Sequence, residues 1–229
     1  MDEGFITASL RQCALFEGVD EAALQEVARQ LRRRRFRRNE VIFHQGDPGD
    51  ALHVVTAGAV KVVLPSAEGD EAIIATLRPG DFFGELSLLD SAPRSATVVA
   101  LESAETMALP RTVFRDLLDA DPGLRDALLA GLAHELRSLT RHVEELHFLD
   151  LAGRLAMRLS RLARDADPVS REVRLDWPYT QSDLASMIGG TRQSVNKLLS
   201  GLVDDGLVII ERDTLIIPDV DALARQAER

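Results

Sequence analysis

GELSLLDSAPRSATVV, residues 84–99, is the stretch on which the reading of this chain turns. Gly84 and Glu85 open a short apolar segment, and some ten residues later Pro93, Arg94 and Ser95 lead into an apolar run that starts at Ala96. Each residue type has a use in holding a small anionic ring. A glycine lets backbone N–H groups approach a ligand closely. A short helix starting near Glu85 turns its positive end toward a phosphate. Arg94 offers a planar fork of donors for phosphate oxygens, Ser95 adds a hydroxyl, and the Glu85 carboxylate suits a ribose hydroxyl. Leu86 and Ser87 continue the turn, and Ala96 begins the strand behind it. Together these needs match a cyclic nucleotide.

Outward from this stretch, residues 41–109 have the pattern of β structure. Val41–Phe43, Leu52–Val55, Val60–Leu64, Ala72–Leu77, Ala96–Leu101 and Thr106–Leu109 are short apolar runs broken by turn signals such as Gly46-Asp47-Pro48-Gly49 and Pro79-Gly80-Asp81. Short strands at this spacing indicate an antiparallel barrel or double sheet. Ahead of them, residues 7–31 repeat apolar positions at helical spacing, with Asp20 as an N-cap. Six arginines then surround Phe36 between Arg32 and Arg38, a run that can be a nucleic-acid patch but reads rather as a solvated helix end passing into the first strand.

Beyond Pro110 the period changes. Leu129, Leu132, Leu136, Leu139, Val143 and Leu146 are spaced 3, 4, 3, 4 and 3, a heptad seam on one helix from about Pro122 to Leu149 that suits a parallel homodimer. His147–Asp150 reads as a hinge, Leu151–Leu162 as an amphipathic helix, Asp165–Arg171 as a polar loop, Val173–Leu175 as a strand and Trp177 as a core aromatic. TQSDLASMIG, residues 180–189, is a helix capped by Thr180 with Gln181 in its first turn; after Gly189-Gly190, Thr191 caps a second helix. Helix, tight turn, helix is a DNA-reading pattern. Arg192, Gln193, Ser194, Asn196 and Lys197 project from the second helix away from its apolar stripe, where base edges of a major groove would lie. Leu207–Ile210 and Thr214–Ile217, joined through Arg212-Asp213, form a hairpin wing, and a short helix of no evident role follows Asp219.

Composition limits the alternatives. The 229 residues exceed a usual single domain, and 45% of them are hydrophobic. No apolar run approaches the roughly 20 residues that span a bilayer, and the acidic start lacks a basic leader, so a cytoplasmic location is expected. Cys13 is the single cysteine, too few for a disulfide framework or a cysteine-ligated cluster. Neither a nucleophile elbow, a metal-ligand cluster nor a Walker loop is present, so no enzyme, and no metal, is expected. The formal charge of −10 is uneven: residues 151–229 hold 11 Lys/Arg against 12 Asp/Glu, so the acid is concentrated in the first 150 residues.

With GEL followed at this spacing by PRSATV, then the seam and the paired helices, the chain resembles the cyclic-AMP receptor protein and fumarate-nitrate regulator (Crp/Fnr) family of transcription regulators over roughly residues 10–220. The resemblance implies an α+β chain: a cyclic-nucleotide-binding jelly roll with N-terminal helices over residues 1–110, a dimerisation helix and hinge over 111–149, and a winged helix-turn-helix over 150–229. It implies cyclic AMP as allosteric effector, with cyclic GMP and cyclic di-GMP open. Its partners are a second copy, double-stranded DNA with a twofold-symmetric site, and RNA polymerase, with no membrane. A constitutive regulator of the same fold is the alternative. Gly84, Glu85, Leu86, Ser87, Arg94, Ser95 and Ala96 would hold the phosphate and ribose. Leu139 falls where the family has a base-holding threonine, with Thr140 keeping a hydroxyl next to it, and Glu135 falls where the family has an arginine. The base-reading part is therefore altered.

On the second helix the family typically has a glutamate at Gln193 and an arginine at Lys197. Gln193→Glu is expected to change the preferred base pair at one half-site position while the guanine facing Arg192 is kept. Selection of bound sequences from a random DNA pool checks this, and identical half-sites from both proteins would contradict it.

Overall fold

Four arginines in succession show no alternation of apolar and polar residues, yet Arg32–Phe36 is the first strand, β1, of the computed structural model, which describes residues 3–212 and 214–227. Pairing decides its conformation. β1 lies antiparallel to β8 (Ala104–Pro110), with Arg33 opposite Met107 and Arg35 opposite Glu105. The Glu105 carboxylate accepts hydrogen bonds from Arg33 at 2.5 Å and from Arg35 at 2.9 Å. Burial alone would raise the Glu105 pKa, but these two bonds hold the carboxyl below its ordinary value. The expected helix end is thus corrected to an edge strand, because cross-strand partners outweigh local propensity.

The chain divides into two compact units, residues 1–137 and 138–229. In the first, two four-stranded antiparallel sheets form the roll. One has the order β1-β8-β3-β6, where β3 is Ala51–Ala57 and β6 is Phe82–Phe83. The other has the order β2-β7-β4-β5, built from Val41–Phe43, Thr97–Ala100, Val60–Pro65 and Glu71–Leu77 in the order β2, β7, β4, β5. Alternation splits the first sheet's faces. Leu52, Val54, Met107 and Leu109 pack on helices, whereas Val55, Ala104 and Phe83 face Val60, Val98 and Ala100 inside the roll.

The helical layer consists of α1 (Glu3–Arg11), a 3-10 turn at Ala14–Phe16, α2 (Glu21–Gln30), α4 (Arg111–Ala120) and the start of α5 (Pro122–Phe148). Asp20 caps α2, accepting from the Ala22 and Ala23 amides. Leu10, Phe16, Leu24, Phe114 and Leu124 are almost wholly buried here, each worth about 1.5–3 kcal/mol of apolar burial. Leu132, expected in the seam, packs against this same core. The other five seam residues are exposed, Leu136 by 66% and Leu129 by 63%. None of the helices among the described residues is long and apolar enough to cross a membrane.

In the second unit Asp150 caps α6 (Leu151–Ala166), which runs four residues past its expected end, so the polar loop begins at Asp167. β9 (Val173–Asp176) joins β10 (Ile209–Glu211) and β11 (Thr214–Ile217) in a three-stranded sheet of order β10-β11-β9. Asp213, part of the expected wing turn, lies outside the described residues. Trp177 is only half-buried; the core aromatic is Tyr179, 6% exposed, with the Trp177 ring edge-on at 5.0 Å. The tail also gains a role. Helix α9 (Val220–Gln226), capped by Asp219, buries Val220 and Leu223, and a Cβ on Gly153 of α6 would stand 2.9 Å from the Ala227 carbonyl. Glycine at 153 therefore lets the tail lie close on α6.

Candidate nucleotide pocket and nucleic-acid interface

The cassette is built around one buried cation. Chain from β6 enters Gly84 at φ +87°, turns through Glu85, runs as the five-residue helix α3 (Leu86–Asp90) and leaves at Ser91 in the left-handed region. At Arg94 the backbone is fastened to the β2–β3 loop, its N–H donating to the Asp47 carbonyl at 2.8 Å and its carbonyl accepting from Gly46 at 2.9 Å. The Arg94 side chain, 3% exposed, turns inward. Nη1 donates to the Gly84 carbonyl at 2.7 Å and to Ser87 Oγ at 3.0 Å. Nη2 donates to the Ala51 carbonyl at 2.8 Å and reaches Asp50 at 3.4 Å. The guanidinium carbon lies 4.2 Å from the centre of the Phe43 ring, a cation–π contact. Two glycines make room for this. A Cβ on Gly84 would stand 2.5 Å from Arg94 Nη1, and one on Gly49 would stand 2.0 Å from Ser87 Oγ.

One donor is left over. Arg94 Nε is buried and has no hydrogen-bond partner. Arg94 also lines a cavity of about 560 Å³ whose wall comes from both sheets of the roll, including Phe43, Ala51 and His53. Of the cassette residues named from the sequence, Arg94 alone lines this space. Ser87 and Ala96 are buried behind it, Glu85 is half-buried, and Leu86 and Ser95 are exposed. Burial raises the Glu85 pKa, and Glu135 adds to the rise, while its own backbone amide and then Arg94 oppose it. Leu139 and Thr140 belong to the second unit, on the exposed C-terminal half of α5.

Two arginines from α4 fasten the far end of the cassette helix. Arg111 donates to the Gly49 carbonyl at 2.7 Å and to the Ser87 carbonyl at 2.9 Å. Arg115 donates to Leu88 and Leu89 carbonyls at 2.9 and 3.3 Å. These are the orphan carbonyls at the end of a helix too short to satisfy them internally.

In the second unit α7 (Gln181–Ile188) begins with a capping box in which Thr180 Oγ1 accepts from the Asp183 amide and the Asp183 carboxylate accepts from the Thr180 amide. Gly189, at φ +69°, ends it. Thr191 caps α8 (Arg192–Asp204), accepting from the Ser194 amide at 3.1 Å and meeting Ser194 Oγ at 2.9 Å. Val195, Leu199 and Leu202 are buried. Of the proposed readers, Thr180, Thr191 and Ser194 are engaged in caps, and Gln181 donates to Asn196 Oδ1 at 2.9 Å, bridging the two helices. Arg192, Gln193 and Lys197 are exposed and bond to no other described residue.

The cyclic nucleotide-binding domain profile matches residues 33–121, and the Crp-like helix-turn-helix domain profile matches residues 153–226. A CRP-like cAMP-activated global transcriptional regulator of Mycobacterium tuberculosis is 31% identical over 219 residues, covering 95% of this chain and 98% of the relative. This chain belongs to the Crp/Fnr family of transcription regulators. It is a DNA-binding regulator with a cyclic-nucleotide-binding domain. Two solved structures share its architecture: FixK2 from Bradyrhizobium japonicum, with a TM-score of 0.76, 22% identity and 86% and 96% of the two chains covered, and the c-di-GMP responsive global regulator CLP from Xanthomonas campestris, with a TM-score of 0.74, 24% identity and 86% and 99% covered.

Within this family member, every residue of the cavity wall but Arg94 escaped the sequence reading, Phe43, His53, Arg32 and Arg34 among them. A signal for the arginines was present. Read as a strand, the run Arg32–Phe36 puts Arg32, Arg34 and Phe36 on one face, but four arginines in a row mask that alternation. His53 gives no local signal; it is a core histidine whose Nδ1 lies 3.0 Å from Thr106 Oγ1 and whose ring stacks on Phe83 at 5.1 Å.

Burial, with Arg94 beside it, lowers the His53 pKa from 6.5 to about 4. Between those values the unfolded chain takes up a proton that the folded roll refuses. Stability is therefore lost as pH falls from 6.5 toward 4, by about 1.4 kcal/mol per pH unit and ~3 kcal/mol in all. Urea unfolding at several pH values should show this slope in the wild type and a shallower one in His53→Phe. Equal slopes would contradict the assignment.

Proposed function

We propose that the chain is a homodimeric regulator switched by a cyclic nucleotide, with cyclic AMP the first candidate. The observation that carries this is the leftover donor of Arg94. A buried guanidinium that keeps one N–H without a partner, in a residue that lines a cavity, is suited to an anionic oxygen. Gly84, Glu85, Leu86, Ser87, Ser95 and Ala96 shape the phosphate and ribose corner, with Leu139 and Thr140 meeting the base. The exposed seam residues Leu129, Leu136, Leu139, Val143 and Leu146 support dimerisation. Thr180, Gln181, Thr191, Arg192, Gln193, Ser194, Asn196 and Lys197 form the DNA face: caps and bridge hold the helices, and Arg192, Gln193 and Lys197 read or clamp. A second copy gives a twofold-symmetric operator. RNA polymerase is the further partner, and the cytoplasm the place of action.

For a switch, the effector must bind the DNA-competent arrangement better than the other; tight binding alone shifts nothing. A second reading is a ligand-independent regulator of the same fold. It is favoured by the fact that both Nη atoms of Arg94 are already occupied by protein acceptors.

Calorimetry of the dimer with cyclic AMP, cyclic GMP and cyclic di-GMP, followed by DNA-affinity measurements at nucleotide saturation, separates the two. Saturable binding that tightens DNA affinity is expected. Arg94→Leu should weaken nucleotide binding by at least roughly tenfold, and Arg94→Lys less, with the dimer intact in both. No heat with any nucleotide, together with unassisted DNA binding, would leave the ligand-independent reading standing.

A further inference from the structure

The cavity carries more positive charge than one cyclic monophosphate needs. Besides Arg94 it is lined by Arg32 and Arg34, which the alternation of β1 aims to the same side as Phe36. Register places them on the inner face: Arg32 stands opposite Ala108, which stands opposite His53, and Arg34 stands opposite the buried Thr106. Neither Arg32 nor Arg34 has an ion pair or side-chain hydrogen bond with another described residue. Arg33 and Arg35, on the opposite face of the same strand, are both spent on Glu105. An edge strand takes charge to discourage pairing with other chains. Arg32 and Arg34, both exposed, can serve that purpose too, and they also line the cavity without a partner of their own.

The cavity's carboxylates do not cancel them. Asp50 lies against Arg94, and Asp47 accepts the His44 amide at 2.8 Å. β1 and β3 are two strands apart in the sheet. At ~4.8 Å per strand, the arginine row stands roughly 10 Å from the Ala51–His53 wall where Arg94 is anchored. One cavity thus has two cationic ends.

We propose that Arg32 and Arg34 form a second anion subsite, so that the cavity accepts nucleotides carrying two phosphates, cyclic dinucleotides, as well as cyclic AMP. This rests on the reading of the cavity as the effector site. Cyclic AMP engages the Arg94 end alone, whereas the second phosphate of a dinucleotide adds charge-assisted bonds at the β1 end.

The test is calorimetry on the full chain with cyclic AMP, cyclic di-GMP and cyclic di-AMP, using wild type, Arg32→Gln/Arg34→Gln and Arg33→Gln/Arg35→Gln. The last pair removes the same charge from the same strand but from the other face, and thermal melts confirm that each variant folds. A cyclic dinucleotide should bind the wild type and lose roughly tenfold or more in Arg32→Gln/Arg34→Gln. Cyclic AMP should change little, the Arg33/Arg35 variant should match wild type, and Arg32→Lys/Arg34→Lys should recover part of the loss. Equal weakening in both double variants, equal loss of cyclic AMP, or cyclic AMP binding with no dinucleotide binding would each overturn the second subsite alone. Failure of every nucleotide to bind the wild type would overturn the effector reading and the subsite with it.

Discussion

A guanidinium buried to 3% exposure is the constraint on which the roll depends. An uncompensated charge in such a place costs several kcal/mol, so the protein must bring acceptors to it. Those acceptors come from chain segments far apart in sequence, Ala51 on one side and Gly84 and Ser87 on the other, with Phe43 beneath. Satisfying Arg94 therefore sets the position of the β3 start relative to the cassette. It also explains why residues 49 and 84 have no side chain: any Cβ would displace Ser87 or Arg94 itself.

From this centre the constraint spreads outward through α4. Arg111 and Arg115 hold Gly49 and the last carbonyls of α3, so the cassette helix is fixed at both ends by arginines. Such a corner is preorganised: its arginines and their acceptors are already held in place by the fold. In the DNA-binding unit the same economy appears in another form. Threonine caps and the Gln181–Asn196 bridge hold the two helices, leaving Arg192, Gln193 and Lys197 unencumbered on the surface.

What could be read from the sequence was what local chemistry encodes. The turn glycine and arginine of the cassette, the Thr180 and Thr191 caps, and the change of period after Pro110 each act within a few residues. What escaped depends on partners far along the chain. The Arg32–Phe36 run is a strand because Glu105 and β8 lie opposite it, more than sixty residues away. Tyr179 displaces Trp177 as the core aromatic, and the tail finds a place on α6 only because Gly153 leaves space there. Leu132 fits the heptad spacing perfectly but is held by the core of its own unit, since a periodic stripe does not say which neighbour covers it.

In the function proposed above, the effector's phosphate meets the spare Arg94 N–H. Nitrogen-15 NMR of the arginine Nε–H signals, with Arg94 assigned by comparison with Arg94→Lys, tests it most directly. On saturation with cyclic AMP the Arg94 signal should move downfield and exchange more slowly with water, as a donor does on gaining a charged acceptor. A signal unmoved at saturation, with heat of binding still measured, would place the nucleotide elsewhere and contradict the account.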